Sequence, residues 1–239
     1  WNWFLAPHRA TYLAALYSNN NLTTDLGTNV IADPGGENSV VLFKSCFVSG
    51  DYVYGNPTDA PLAAGASNSL YGQDQSNDQF YTVANIKGLY RDLLAYFATR
   101  QDKLFVIATT PPSSSGTTTA ADAANLRAIN TWLVRDYLDT YPYKNVAVFD
   151  FSNVLTSNGG NANTNDLGAV GGSHHRWING AVQHQNNGSN YTVYPLGGGD
   201  DHPTDAGLQK ATGEFLPLLN ISYHCWKGTG GCPKLLGRE

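Results

Sequence analysis

The sequence predicts an α/β fold: a parallel sheet with helices on both faces. Three observations carry this. Residues 39–44, 104–112 and 145–151 form short apolar runs that end in polar residues, the pattern of parallel strands buried on both faces. Between them lie two stretches whose apolar residues recur at helical spacing. Strand, helix, strand, helix, strand in that order implies right-handed crossovers, which lay the helices over the sheet.

Each element has its own signal. In residues 7–17, "PHRATYLAALY", Ala10, Leu13 and Tyr17 share a helical face, and "SNNN" ends the helix. The first strand follows at 39–44. Residues 52–80 are a long polar loop, expected to be functional or to hide a short helix. From Tyr81, apolar residues at Val83, Ile86, Tyr90, Leu94 and Phe97 define an amphipathic helix with Thr82 as its N-cap. "LFVIATTPP" is the second strand, stopped by two prolines. A Ser/Thr-rich stretch, 113–119, leads to a helix carrying Leu126, Ile129, Leu133 and Tyr137, and "NVAVFDF" is the third strand. Residues 152–201 form a Gly/Asn-rich excursion containing "GGSHHRWING". The last helix opens after "GGGDDHPT" and is expected to bury Leu208, Ala211, Phe215 and Leu219, with Pro217 ending or kinking it near Leu216. The expected organisation is one domain over 1–239, with the excursion at 152–201 and a tail at 220–239.

Composition narrows the function classes. The 239 residues are 41% hydrophobic and 14% charged, which describes a folded chain and suits a secreted protein better than a cytosolic one. A net charge of −5 with no Lys/Arg block argues against nucleic acid and anionic membranes as partners. No apolar run approaches the length of a bilayer span. Cys225 and Cys232 enclose a Gly-rich loop that can close a small disulfide ring, which implies an oxidising compartment. Cys46 is left over, expected to be buried and reduced. Sequons at Asn21, Asn187, Asn190 and Asn220 are candidate N-glycan sites. The chain contains no Met, so the expectation is that Trp1 is a processed or truncated end.

Ligands of open α/β sheets bind beyond the carboxyl ends of the strands. Three groups are expected there: Lys44-Ser45-Cys46, Thr109-Thr110-Pro111, and the loop holding Asp200, Asp201 and His202. A serine hydroxyl attacks at neutral pH only when a base takes its proton, and His is the usual base, oriented by a carboxylate. "DDHPT" supplies both, although an Asp/His turn capping a helix accounts for it as well. In the excursion, Trp177 can stack on a sugar ring and Arg176 can grip a carboxylate; anchoring the loop to the core is the simpler role for Trp177. His174, His175, His184 and His202 match no zinc spacing, and neither metal nor cofactor is expected.

The chain resembles the SGNH (GDSL-type) hydrolases, secreted α/β esterases whose catalytic His lies in a D-x-x-H-P stretch before the last helix. "FKSCF", "TTPP" and "HPT" look like one branch of that superfamily, and the likeness spans nearly the whole chain. It implies a three-layer α/β/α sandwich and a secreted serine ester hydrolase acting on a small-molecule or carbohydrate ester, such as acetylated extracellular polysaccharide. By the same resemblance His202 is the general base, oriented by Asp200 or Asp201, since the family's usual Asp position is Gly199 here. Ser45 is either the nucleophile or a neighbour that supplies oxyanion or substrate contacts. Lys44, Thr109, Thr110 and Asn77 (in "QSND") are the further candidates for substrate contact, with Arg176 and Trp177. No Gly-Asp precedes Ser45. If "VVLFKSC" is the family's second strand, the resemblance implies an additional N-terminal segment, supplying one more parallel strand between those ending at Lys44 and Thr110. A non-catalytic extracellular binding or structural protein that keeps the fold is the alternative.

Overall fold

The structure is a computed structural model. It describes residues 4, 9–18, 35–45, 51–62, 81–156, 175–178, 181–184, 190–197 and 200–232, with 175–178, 181–184, 197 and 200 described by backbone alone. The elements are α1 (Arg9–Ser18), β1 (Val40–Lys44), α2 (Val83–Phe97), β2 (Leu104–Ala108), α3 (Ala120–Arg135), β3 (Val146–Phe149) and α4 (Phe151–Thr156). Two hairpins follow, β4 (His175–Ile178) with β5 (Ala181–His184) and β6 (Pro195–Gly197) with β7 (Asp200–Pro203), and then α5 (Asp205–Lys227). The chain is thus mixed α/β.

The three apolar runs form one parallel sheet in the order β1-β2-β3, with Val40 opposite Leu104 and Phe105 opposite Val146. The additional strand is expected from a segment preceding Trp1; within this chain β1 and β2 pair directly along all five residues of each. Both edges of β2 are occupied, as Leu104 N–H donates to Ser39 O at 2.8 Å and Thr109 N–H to Phe149 O at 2.9 Å.

All five residues of β2 are buried, because packed side chains cover both of its faces. On one face Phe105 and Ile107 join Val41, Val146 and Val148 under α2 and α3. Phe97 stacks on Phe105 at 4.1 Å, and Phe4 meets both rings edge-on. On the other face Ala108 and Phe149 pack against Ala211, Phe215 and Leu218 of α5. Among the described residues β1 lies at the sheet edge, and it is not buried on both sides as expected. Leu42 is 51% exposed, and a cleft of about 220 Å³ separates it from Ala211 and Phe215.

Helix starts follow local chemistry. Thr82 Oγ1 accepts from Asn85 N–H at 3.2 Å, as its position predicts, and Thr119 and Thr204 cap α3 and α5 in the same way. The third strand stops at Phe149, not 151, because the Asp150 carboxylate accepts from Asn153 N–H at 3.1 Å and opens α4.

α5 departs from expectation twice. Its buried face is Gly207, Lys210, Ala211, Glu214, Leu218, Ser222 and Cys225, while Leu208 is 48% exposed. Two charged residues take the inner face because they satisfy each other: Lys210 Nζ lies 3.8 Å from Glu214 Oε1 and donates to Val154 O at 3.3 Å. Nor does Pro217 end the helix, which runs on to Lys227 and makes the first part of the 220–239 tail helical. The far end is anchored by the Cys225–Cys232 disulfide, with Cα atoms 4.6 Å apart, and by Trp226 Nε1–H donating to Gln101 O at 2.9 Å. These contacts outweigh the one backbone hydrogen bond that proline forfeits. Cys46 lies outside the described residues, as do Asn21 and Asn187; Asn220 sits inside α5.

Candidate functional site

The carboxyl end of β2 is rigid. Thr110 is gripped through its backbone by Asn130 of α3: Thr110 N–H donates to Asn130 Oδ1 at 3.1 Å, and Asn130 Nδ2–H donates back to Thr110 O at 2.9 Å. Thr109 Oγ1 accepts from Ser152 N–H at 2.8 Å. Both threonines are buried at the strand end where sequence reasoning put them, but these polar atoms hold protein rather than line a surface.

Beyond Pro112 the chain enters a polar cluster that joins four segments. Ser113 Oγ–H donates to the Asp51 carboxylate, Thr118 Oγ1–H donates to Asp51 O at 3.1 Å, and Thr192 N–H donates to Ser113 O at 3.1 Å. Asp201 accepts from Ser114 N–H at 2.7 Å and from Thr117 Oγ1–H at 2.8 and 3.0 Å. Burial pushes the Asp51 carboxyl up; the Ser113 bond offsets part of this, and the nearby Asp201 charge raises it further.

The "DDHPT" segment is therefore not a free loop. It is strand β7, docked at Asp201 onto the segment that leaves β2. Its other end is fixed where Thr204 N–H donates to Tyr194 O at 2.7 Å. Gly207 permits this: a Cβ there would stand 2.8 Å from Tyr194 Cβ and 3.3 Å from Pro203 Cβ. His202 stands between the two attachments with its side chain exposed.

Ser45 directly follows β1, and its hydroxyl is hydrogen-bonded to Tyr90 OH at 3.3 Å, on the α2 face of the sheet. Tyr90 is buried, and burial raises its phenol pKa. Lys44 borders the cleft between β1 and α5. Asp200 pairs with Gly197 in the hairpin, and Arg176 and Trp177 lie in β4 opposite Gln183 and Val182. His175 is opposite His184 in the same hairpin. Asn77, His174 and the side chains of Asp200, Arg176, Trp177, His175 and His184 lie outside the described residues.

A second polar centre sits at the end of β3. Asp150 is buried, which lifts its carboxyl to about 6 despite the opposing charge of Arg127 and the hydrogen bonds from Asn153, with Glu214 pushing the same way as burial. Arg127 donates to Thr156 Oγ1 at 3.0 Å and to Asn153 Oδ1 at 3.2 Å. Sequence reasoning missed Asp51, Ser113, Ser114, Thr117 and Asp150. The available signals were "SGD" just after "FKSCF", hydroxyls just after "TTPP", and a carboxylate closing an apolar strand.

Among the described residues, no group of three or more His, Cys, Asp or Glu could hold a metal ion, and no helix is long and apolar enough to cross a membrane. The chain matches no protein-family model, no curated protein and no solved structure.

Proposed function

We propose that this protein is a secreted serine ester hydrolase of the SGNH type, built as a three-layer α/β/α sandwich and acting on esterified extracellular carbohydrate. The observation that carries the reading is the bond from Ser114 N–H to Asp201. It ties the His202 strand to the segment leaving the carboxyl end of β2, where an open α/β sheet places its chemistry. The disulfide supports an oxidising compartment.

In this reading His202 takes the proton of a serine hydroxyl as its oxygen attacks the acyl carbon. The same proton then leaves with the alcohol; His202 next deprotonates the water that attacks the acyl-serine and passes that proton to the serine oxygen as the acid departs. Ser45 is the assigned nucleophile. Its contact with Tyr90 is long for an O–H···O bond, so little is lost when the hydroxyl swings away. Asp201 acts as a positioning residue, fixing the strand that carries His202. The test is treatment with a serine-directed phosphonate followed by peptide mapping. A covalent adduct on Ser45 that His202→Ala abolishes is expected; an adduct on another residue removes the Ser45 assignment.

The alternative, a non-catalytic extracellular binding protein that retains the fold, draws on one observation. Ser45 is bonded to a tyrosine and Asp201 to Ser114 and Thr117, so two of the triad roles are engaged structurally. Under this reading the phosphonate leaves the protein unlabelled.

A further inference from the structure

A cleft of about 260 Å³ runs along the outer side of β3, away from the candidate active site. The loop after α3 walls it with Tyr141 and Tyr143, Val146 and Val148 form its strand side, and the C-terminal half of α5 closes it with Leu218 and the Cys225–Cys232 disulfide. The backbone also opens onto this side. Asn145 and Phe149 turn their carbonyls to β2, so by strand alternation Val146 and Val148 turn theirs outward.

Ser222 is the unusual member of this lining. It is 4% exposed, and its Oγ has no hydrogen-bond partner. A buried hydroxyl with no partner costs about 1–3 kcal/mol relative to one that is bonded. Ser222 is one of the residues lining the cleft, so a ligand group seated there can satisfy its hydroxyl. The remaining side-chain walls are largely aliphatic, aromatic or disulfide sulfur, while tyrosine hydroxyls and backbone groups add polar surface, which suits a flat ring carrying polar substituents. At the rim stand Tyr143, 47% exposed, and the exposed cation Lys144.

We propose that this cleft binds a small phenolic carboxylate: one aromatic ring in the apolar slot, its hydroxyl on Ser222 and its carboxylate towards Lys144. The volume holds one such ring with room for its substituents, and not a chain of sugars. The proposal stands independently of ester hydrolysis.

The test uses the intact chain, with 4-hydroxybenzoate, benzoate and methyl glucoside as probes in ligand-observed NMR titrations. Saturable binding of both benzoates is expected, with 4-hydroxybenzoate the tighter. Ser222→Ala should weaken 4-hydroxybenzoate about fivefold and leave benzoate unchanged. Lys144→Gln should weaken both by about two- to fourfold, and added salt should weaken binding to the wild type. Should Ser222→Ala fail to fold, Tyr143→Ala decides, since this exposed residue can be trimmed without opening the core; at least a threefold loss of both benzoates is expected. Failure of the benzoates to saturate by about 10 mM, saturation by methyl glucoside alone, equal effects of Ser222→Ala on both benzoates, or no effect of Tyr143→Ala would each overturn the proposal.

Discussion

Asp201 holds Ser114 across 87 residues of sequence, its carboxylate 2.7 Å from the backbone nitrogen that follows the exit of β2. That contact, with the Thr117 hydroxyl beside it, is what fixes the strand carrying His202. Asp201→Ala should therefore cost about 1–3 kcal/mol in urea unfolding, the range for a charged hydrogen bond lost with its partner left behind. If the proposed function holds, it should also lower ester hydrolysis through kcat more than KM, because a positioning group is removed and not a substrate contact. Asp201→Asn keeps an acceptor and should recover much of both. Unchanged stability in Asp201→Ala would mean that β7 is held elsewhere.

Asn130 satisfies both backbone groups of buried Thr110. Asn130→Leu has similar bulk but leaves an N–H and a C=O without partners. The expected loss is about 2–4 kcal/mol, read from denaturant midpoints at unchanged m.

Asp150 gives a pH signature. Burial raises its folded pKa to about 6 from the ordinary aspartate value of 3.8, so between those values the folded state holds a proton that the unfolded chain has released. The contribution is fully present below about pH 4 and is lost as pH rises through about 6, a fall on the order of 3 kcal/mol. Stability should therefore decline from this group as pH rises from 4 to 7, and Asp150→Asn should flatten that part of the profile. The check is a set of urea melts across that interval. A profile unaltered by the substitution would place the titration elsewhere.

The Cys225–Cys232 disulfide closes a short loop at the end of α5. Chain entropy for a loop of this size gives about 2–3 kcal/mol. Cys232→Ser should lower Tm by roughly 4–10 °C, measured by calorimetry against the oxidised wild type. Because Trp226 is bonded to Gln101 just beyond the disulfide, its fluorescence should shift at lower temperature than the core signal.

The sheet was legible in the sequence because β2 is apolar at every position, and only a strand covered on both faces tolerates that. The cap at Thr82 was legible because capping is local. The inner face of α5 was not, because Lys210 and Glu214 read as surface residues until their pairing is known. Pro217 misled for a related reason: its cost is local, while the contacts that outweigh it, Trp226 with Gln101 and Cys225 with Cys232, are not. At the site, the "DDHPT" segment stood out, but its partner Ser114 and the bond from Ser113 to Asp51 could not be read, since each joins residues more than sixty positions apart. The direct pairing of β1 with β2 was likewise hidden, as register between parallel strands leaves no mark in either run.

The proposed function requires His202 to serve as the base of an ester hydrolase. The most direct measurement is the initial rate of 4-nitrophenyl acetate hydrolysis at saturating ester, for the wild type and His202→Ala at matched folded fraction. Turnover above the buffer rate is expected for the wild type, falling by about 10²–10⁴-fold in the variant. Equal rates in the two proteins, whether both fast or both at the buffer background, would contradict it.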